Sequence, residues 1–387
     1  MRFKWSRQEN LLDKGGESTV KNILSCLSIL FILVTSAASG QSGESADKPE
    51  WDKIVAAAKK EGKLVIYAEL DPDTRQALTS VFGRKFGIQL EFVAGKSAEI
   101  SKRYLSERGA GLHLPDVFHM GAGTAINIMK PQKVFAPLEP LLLLPEVKER
   151  SAYLFGDIPY LDKDKTAIAL IAPYTSYVSI NTAMVKEGEL KSYRDVLNPK
   201  WKGKVVLYDP AIPSAAAGWA AFMIGKAYGL EEGTKFLKEF ASTQPVMIKD
   251  VRQQVEWVAR GKYAIGVGTQ HAEISNFKML GLPIFMQRFV EGGNINPASA
   301  FIERPTNPPH PSAATVYLNW VLTEEGQRTV AEGMSSPPIR KGVAVKGIDP
   351  MKIAKTGEKA FLTDEEFYNL QGKAMGLAKE IFAALRQ

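Results

Sequence analysis

Cysteine is nearly absent from this sequence, since the only one among 387 residues is Cys26. It lies in an apolar run at 23–34, which follows a basic segment and precedes the small residues at 36–40. A basic segment, an apolar core and a small-residue cleavage zone are the three parts of a secretory signal. We therefore expect residues 1–40 to be a cleaved signal peptide, and the mature chain to contain no thiol.

The absence of a thiol excludes several chemistries together: disulfides, thiolate metal sites, iron–sulfur clusters and cysteine nucleophiles. The apolar run of the signal is also too short to cross a bilayer core about 30 Å thick. A lipid anchor would need small residues just before a cysteine at the end of the run, whereas Cys26 lies near its start. We expect an exported, soluble protein located in the periplasm.

Basic runs and the motifs of common enzyme classes are missing as well. The chain has 49 Lys and Arg against 42 Asp and Glu, a formal net charge of +7. The first forty residues hold five basic and three acidic groups, so the mature charge is about +5. Scattered charges of this kind argue against a nucleic-acid partner. No G-x-S-x-G, H-E-x-x-H, Walker A or complete G-x-G-x-x-G pattern occurs, so we expect neither catalysis nor a cofactor.

Apolar periodicity predicts helices and strands that alternate along most of the chain. The first half is predicted to contain helices at 51–61, 74–86 and 100–108 and strands at 63–70, 88–94 and 115–120. The second half is predicted to contain strands at 204–208, 246–248, 264–267 and 298–302 and helices at 214–228, 233–241 and 251–260. This alternation is typical of α/β proteins with parallel strands, which bind ligands at the carboxyl ends of those strands.

Two extended runs, 167–181 and 283–290, flank the second group of elements. They predict that the chain leaves one α/β lobe, builds a second and returns, which gives two hinge crossings and a cleft that closes on its ligand. The predicted lobes are 41–172 plus 288–328, and 173–287 plus 329–387.

Several short segments resemble the extracellular solute-binding proteins of ABC importers. They are KEGKLVIYA at 60–68, NPKWKGKV at 198–205, HPSAA at 310–314 and NWVLTEEGQ at 319–327. The resemblance covers about 51–345 and is greatest to the branch of periplasmic ferric-iron-binding proteins. It implies a type II, Venus-flytrap fold and a receptor that delivers one solute to a membrane permease with its ATPase subunit. We expect a monomer that meets the membrane only through the permease.

The iron branch typically holds its metal with adjacent tyrosines after the strand predicted at 264–267. Here that segment contains Gln270 and His271, and Glu69 stands where the branch would have a ligand histidine. Glu99 keeps the place of a possible acidic ligand. Ferric iron favours anionic oxygen, so we predict no metal and keep ferric iron as the alternative ligand.

We predict instead a small anionic organic solute held at helix starts, where free N–H groups and the helix dipole favour negative charge. The candidate ligand-binding residues are Glu69, Lys96, Ser97, Glu99, Tyr174, Thr175, Tyr177, Ser214, Ala215, Gln270 and His271. Ser214 has the alternative role of a helix cap, and the tyrosines that of core packing. His119, on a predicted strand, is expected to be a structural histidine.

Two other classes of function remain open from the sequence. A sensory receptor that reports a solute to a membrane kinase would have the same features as a transport receptor. Enzymes with related folds in thiamine metabolism use a cysteine, which the mature chain lacks. Genes for a permease and an ATPase next to this one would favour transport.

Overall fold

The computed structural model describes residues 47–385. The predicted signal peptide, residues 1–40 with Cys26, lies outside the described residues. Among the helices of 47–385, none combines the length and the apolar character needed to span a membrane.

The strands form three separate sheets. They are β1 (Lys63–Ala68), β2 (Gln89–Ala94), β3 (Val117–His119), β4 (Ala167–Ala169), β5 (Tyr174–Thr175), β6 (Val178–Asn181), β7 (Val205–Tyr208), β8 (Val246–Ile248), β9 (Ile265–Val267), β10 (Ile284–Met286), β11 (Gly293–Ile295), β12 (Phe301–Glu303) and β13 (Ala360–Leu362). The first sheet has the order β2-β1-β3-β12-β4, the second β10-β6-β9-β7-β8 and the third β13-β11-β5. We call the parts built on the first and second sheets the first lobe and the second lobe.

Helices cover the first two sheets. They are α1 (Asp47–Glu61), α2 (Pro72–Phe86), α3 (Ser97–Gly109), α4 (Ala122–Thr124), α5 (Pro145–Lys148), α6 (Ala215–Phe222), α7 (Leu230–Ser242), α8 (Val251–Ala259), α9 (His271–Met279), α10 (Pro311–Leu322), α11 (Glu324–Gly333) and α12 (Glu365–Ile381). The order of helices and strands confirms the predicted α/β class. The predicted helices and strands match most of these elements, with bounds that differ by a few residues.

The first lobe combines parallel and antiparallel pairing. Strands β1, β2 and β3 are parallel, whereas β12 pairs antiparallel with β3 and β4. Asp71 begins α2 as the sequence predicts, because its carboxylate accepts the Thr74 N–H over 2.8 Å. The Phe82 ring of α2 lies 5.3 Å from the Tyr317 ring and 5.2 Å from the Trp320 ring of α10, measured between centroids. The Tyr317 and Trp320 rings are 5.8 Å apart. This aromatic packing fixes the helix layer on the sheet.

The second lobe has a similar mixed sheet. Strands β7, β8 and β9 are parallel, and β6 and β10 add antiparallel pairs. Its core includes Trp219 of α6, whose ring lies 5.2 Å from Phe240 and 6.1 Å from Phe236 of α7. These side chains are buried, so α6 is held firmly on the sheet and its start has a fixed position.

The third sheet joins the lobes. Strand β5 pairs antiparallel with β11, and β11 pairs in parallel with β13. Strand β5 leads from the first lobe to the second, and β11 leads back. Strand β13 forms a third connection, because it follows α11 of the first lobe and precedes α12 of the second. The predicted lobes imply such a crossing after residue 328, but no strand is predicted for it.

The structure places the return connection later than the run at 283–290. That run contains β10, which pairs with β6 at the edge of the second sheet, and the chain returns through β11. An apolar extended run is equally compatible with an edge strand and with a crossing, so periodicity does not separate the two. The predicted boundary after residue 328 falls inside α11, which packs on α2 in the first lobe.

Helix α12 contacts both lobes. At its start, the Glu365 carboxylate lies 2.7 Å from the Lys130 ammonium, and the Glu365 N–H donates to the Leu161 carbonyl over 2.7 Å. Further along, α12 packs on α6, and the Gln371 amide donates to the Ser214 carbonyl over 3.4 Å. The helix is therefore held across the space between the lobes, beside the cavity described next.

Candidate functional site

A cavity of about 490 Å³ lies where the third sheet meets the starts of two second-lobe helices. Seven of the eleven residues proposed from the sequence line it: Tyr174, Thr175, Tyr177, Ser214, Ala215, Gln270 and His271. The structure brings these together from three separate stretches of the chain. The other four, Glu69, Lys96, Ser97 and Glu99, lie in the first lobe and do not line this cavity.

Helix α6 begins at the cavity. Ser214 is its N-cap, with φ −162°, and the hydroxyl oxygen accepts the Ala217 N–H over 3.1 Å. The same hydroxyl donates to the Asp209 carbonyl over 3.1 Å. The hydroxyl hydrogen and one oxygen lone pair are therefore used in capping the helix, which leaves the cavity mainly the backbone of the first turn.

A glycine lets the neighbouring loop approach this helix start. Gly268 has φ +79°, and a Cβ at this position would lie 2.7 Å from the Ala216 Cα. A side chain here would push the loop away from α6. Gly268 therefore sets the close spacing of the two segments that line this side of the cavity.

Helix α9 also begins at the cavity, with Gln270 as N-cap and His271 as first residue. The Ser275 hydroxyl donates to the Asp349 carboxylate over 2.9 Å, so its oxygen accepts the His271 Nε2–H over 3.1 Å. The Nδ1 atom is buried and has no partner among the described residues. Burial lowers the pKa of His271 to about 4, so the ring is neutral at pH 7.

Tyr177 occupies an unusual backbone conformation beside the cavity. Its φ is +62°, in the left-handed region that a non-glycine residue rarely adopts. Its carbonyl accepts the N–H groups of Gly268 and Thr269 over 2.8 and 2.9 Å. Its hydroxyl accepts from the Asn294 amide of β11 over 2.9 Å. These contacts hold the ring between the third sheet and α6.

The tyrosines that line the cavity are protonated at neutral pH. Burial raises the pKa of Tyr174 and of Tyr177 well above 10, and it raises the pKa of Tyr368 to about 12. The Tyr174 ring is covered by the Arg288 guanidinium, 4.5 Å from its centroid. The cavity therefore presents neutral phenols rather than phenolates.

Lys352 is a cavity residue that sequence reasoning missed. Its ammonium donates to the Ser335 carbonyl over 2.8 Å, and burial lowers its pKa below the usual value. Arg288 holds this segment, because it donates to the carbonyls of Met351 and Ile353 over 3.0 and 2.8 Å. The guanidinium is itself paired with the Glu358 carboxylate.

The segment after residue 330 supplies further lining residues. They are Met334, Ser336, Phe367, Tyr368 and Gln371, together with Lys352. The family resemblance seen in the sequence ends near residue 345, and no local pattern distinguishes these positions from ordinary surface or core residues. Only the third connection through β13 brings α12 to the cavity.

The start of α3, in the first lobe, is occupied by the protein itself. The Glu69 carboxylate accepts the Ser97 N–H over 2.9 Å and also binds the Ser97 hydroxyl. The Ser97 oxygen in turn accepts the Gly121 N–H over 2.7 Å. Glu99 accepts the Lys96 N–H over 3.2 Å, as in a capping box. These four predicted ligand residues therefore form a local network around a helix start.

His119 is fully buried in the first lobe. Its Nδ1 lies 2.6 Å from the Phe301 carbonyl and its Nε2 lies 2.9 Å from the Tyr317 hydroxyl. Burial lowers its pKa to about 4. Both nitrogens have partners within the core, in keeping with the structural role expected for this residue.

The ionisable groups of the cavity carry positive or no charge. Among its lining residues within 47–385, Lys352 is the only lysine or arginine, and none is Asp or Glu. The described part of the chain also contains no group of three or more His, Cys, Asp or Glu side chains arranged to hold a metal. The arrangement therefore favours an anion over a bare cation.

Comparison with known proteins identifies relatives of this architecture. A sequence profile of the family described as bacterial extracellular solute-binding protein matches residues 77–356. Among solved structures, a protein of Trichodesmium in complex with iron and citrate ligands is 20% identical, with a TM-score of 0.65. The alignment covers 84% of this chain and 99% of that one.

Two further structures have similar folds. Iron-bound HitA of Pseudomonas aeruginosa is 18% identical over 82% of this chain and 99% of its own, with a TM-score of 0.59. The periplasmic binding protein AfuA of Actinobacillus pleuropneumoniae, solved with fructose-6-phosphate, is 18% identical over 84% and 97%, with a TM-score of 0.54. At these identities the likeness shows a shared fold, that of type II periplasmic binding proteins.

Proposed function

This chain belongs to the bacterial extracellular solute-binding protein family, the receptors of ABC importers, and on that premise we propose that it captures a small anionic organic solute. The observation that carries the proposal is the charge of the cavity. Lys352 and two helix starts surround it, and no carboxylate lines it among the described residues. Each of these features stabilises negative charge and destabilises positive charge.

The cavity can strengthen this preference by excluding water. Two unit charges about 4 Å apart attract by about 1 kcal/mol in water and about 4 kcal/mol at an effective dielectric constant of about 20. A solute that contacts both lobes stabilises the closed arrangement by its difference in affinity for the closed and open forms. We propose that this closed form is what the permease and its ATPase subunit receive.

The remaining parts of the proposal concern the setting of the protein. We propose that it is exported with residues 1–40 removed, acts in the periplasm as a monomer, and has no nucleic-acid partner, cofactor or catalytic activity. Membership of an extracellular binding-protein family supports export and binding. N-terminal sequencing of the protein from its native host tests the cleavage, which we expect between about residues 39 and 46.

Ferric iron is the second candidate ligand. The observation that favours it is that Tyr174, Tyr177 and Tyr368 all line the cavity, and relatives with this fold are iron-bound. Iron binding would require these phenols to lose their protons, which their burial opposes. The Tyr177 oxygen also accepts a hydrogen bond from Asn294. We therefore place iron second.

A thermal-shift measurement on the purified mature protein tests the choice. Carboxylates, organic phosphates, ferric citrate and cationic polyamines are added separately at increasing concentrations. A true ligand at 100 times its dissociation constant stabilises the folded state by about 2.7 kcal/mol. We expect stabilisation by an anion without iron. Stabilisation by ferric salts alone, with a phenolate-to-iron absorption band, would overturn the anion proposal in favour of iron.

A further inference from the structure

We propose that the solute is an amphipathic monoanion, with one anionic group attached to an aromatic or branched apolar body that carries few hydroxyls. This inference rests on the proposed function, since it specifies which anions the same cavity accepts. Three features of the cavity favour such a solute: its apolar walls, the hydrogen bonds that most of its polar side chains already make within the protein, and its single lysine among the described residues.

The walls of the cavity are largely apolar. Ile171 and Pro173 approach from the first crossing, Met334 from the end of α11, and Phe367 from α12. The rings of Tyr174, Tyr177 and Tyr368 add aromatic surface. A ligand gains free energy in proportion to the apolar area that it buries against such walls. A solute without an apolar body would leave this surface uncovered.

Most polar side chains of the lining are already hydrogen-bonded within the protein. The Thr175 oxygen accepts the Tyr177 N–H over 3.2 Å, and the Ser336 hydroxyl donates to the Met334 carbonyl over 3.0 Å.

The same holds on the other walls. The Thr269 hydroxyl donates to the Gly266 carbonyl over 3.2 Å, and the Asn296 oxygen accepts the Ala298 N–H over 3.0 Å. The Ser214 hydroxyl donates one hydrogen bond and accepts one in capping α6. A solute with many hydroxyls would lose its water partners here and regain few, so the cavity selects against it.

Within the described chain, the lining of the cavity has one cationic side chain, which can balance one negative charge on the solute. Lys352 is the only lysine or arginine among the lining residues of the described chain. The neighbouring Arg288 is paired with Glu358 and directed to backbone carbonyls. A second or third negative charge on the solute would have no cationic partner in the lining, and burying it would cost free energy.

Matched pairs of ligands test the inference by calorimetry on the mature protein. Phenylacetate, 3-phenylpropionate and 4-methylvalerate are compared with gluconate, a monoanion of similar carbon count that carries five hydroxyls. Citrate and glucose 6-phosphate supply the multiply charged cases, and phenylacetamide supplies a neutral one. We expect at least one of the three apolar monoanions to bind about tenfold or more tightly than gluconate, citrate, glucose 6-phosphate and phenylacetamide.

The outcomes separate this inference from the proposed function. Tighter binding of gluconate, citrate or glucose 6-phosphate would overturn the amphipathic monoanion and leave the anion receptor standing. Binding of ferric salts only, or of phenylacetamide in preference to phenylacetate, would overturn both.

Two variants assign the effect to the cavity. Lys352→Met keeps an apolar side chain of similar length, and we expect the preference for phenylacetate over phenylacetamide to disappear. Its control, Lys355→Met, removes an exposed lysine three residues further on and should keep the preference. Met334→Gln adds a polar group to the apolar wall and should reduce the preference for phenylacetate over gluconate. An unchanged preference in both cavity variants would overturn the assignment.

Discussion

The starts of α3 and α6 look alike in the sequence and differ in the structure. Each follows a strand of its lobe, and the sequence predicts ligand-binding residues at both. At α3 the Glu69 carboxylate already accepts the Ser97 N–H. At α6 the cap is the neutral Ser214 hydroxyl, and the first turn lines the cavity.

Under the proposed function, a helix start can bind an anionic solute only where no charged group of the protein already occupies it. Both starts have the same backbone donors and the same dipole. In the first lobe the Glu69 carboxylate satisfies one of these donors, the Ser97 N–H, and adds a negative charge that repels a second anion. In the second lobe the neutral Ser214 hydroxyl satisfies one donor, the Ala217 N–H. The electrostatic field of the α6 dipole is then still directed at the cavity. Three of the changes tested below alter one of these two helix starts, and the fourth alters the start of α9, which also lines the cavity.

Filling the α6 start with a carboxylate should have the largest effect. Ala215→Asp places a negative charge in the first turn of α6, where the dipole tolerates it, so the fold should persist. Like charges about 4 Å apart repel by about 4 kcal/mol at an effective dielectric constant of about 20. We therefore expect the affinity for phenylacetate, or whichever anion stabilises the wild type, to fall by about a hundredfold or more.

The matched control places the same carboxylate at the other helix start. Ala98→Asp alters the second residue of α3, which is exposed and outside the cavity. We expect its anion affinity, measured by calorimetry, to stay within about twofold of the wild type. Equal losses in both variants would mean that the two helix starts contribute equally to the binding of the anion.

Acidification should weaken the fold through the start of α9. The folded-state pKa of His271 is about 4, below the unfolded value of 6.5, so the unfolded chain binds the proton first. The stability that comes from the neutral ring is complete above pH 6.5 and is lost as the pH falls to 4. The loss amounts to about 3 kcal/mol at most.

Urea denaturation at pH 7 and pH 4 measures this loss. His271→Gln should show a smaller decrease in the free energy of unfolding than the wild type. His113→Gln, which changes an exposed histidine, should show the wild-type decrease. An undiminished pH dependence in His271→Gln would assign the effect to other groups, of which the buried His119 is the first to test.

Removing the internal carboxylate of the first lobe should affect stability and leave binding intact. Glu69→Gln replaces a charged acceptor of the Ser97 N–H with a neutral one, and we expect a loss of about 2 kcal/mol in the free energy of unfolding. Glu99→Gln, whose carboxylate is exposed, should cost less than about 1 kcal/mol. A large decrease in anion affinity in Glu69→Gln would show that the first lobe takes part in the binding of the solute.

The smallest effect is expected for Ser214→Ala. The hydroxyl is used in the cap, so its removal should lower stability by about 1 kcal/mol and change anion affinity by less than about threefold. Thr323→Ala, which removes the cap of α11 away from the cavity, provides the comparison for stability alone. A tenfold loss of affinity in Ser214→Ala only would make the hydroxyl a direct contact of the solute.

The sequence predicted the α/β class and most elements because apolar periodicity and helix caps are local signals. Tyr174, Ser214 and Gln270, which the sequence proposes as ligand residues because they lie next to recognisable strands and helices, do line the cavity. The sequence could not predict which group binds the free N–H of the α3 start, because that group, the Glu69 carboxylate, lies 28 residues before Ser97. It also missed Lys352, whose place depends on Arg288 reaching the carbonyls of a distant segment. Contacts between residues so far apart in the chain produce no periodic pattern in the sequence.

Because of the third connection, the residues that complete the cavity come last along the chain. Lys352, Phe367, Tyr368 and Gln371 follow every other lining residue along the chain. In a chain that is exported as proposed and leaves the translocation channel with its N-terminus first, the first lobe can form most of its hydrophobic core before these residues arrive. The core of the second lobe is completed only when Phe367, Ala374 and Ala378 of α12 arrive. Until the late lining residues emerge, the cavity lacks its cation and one wall. On the proposed function, solute binding therefore requires that α12 has emerged, and a partly translocated chain binds no solute.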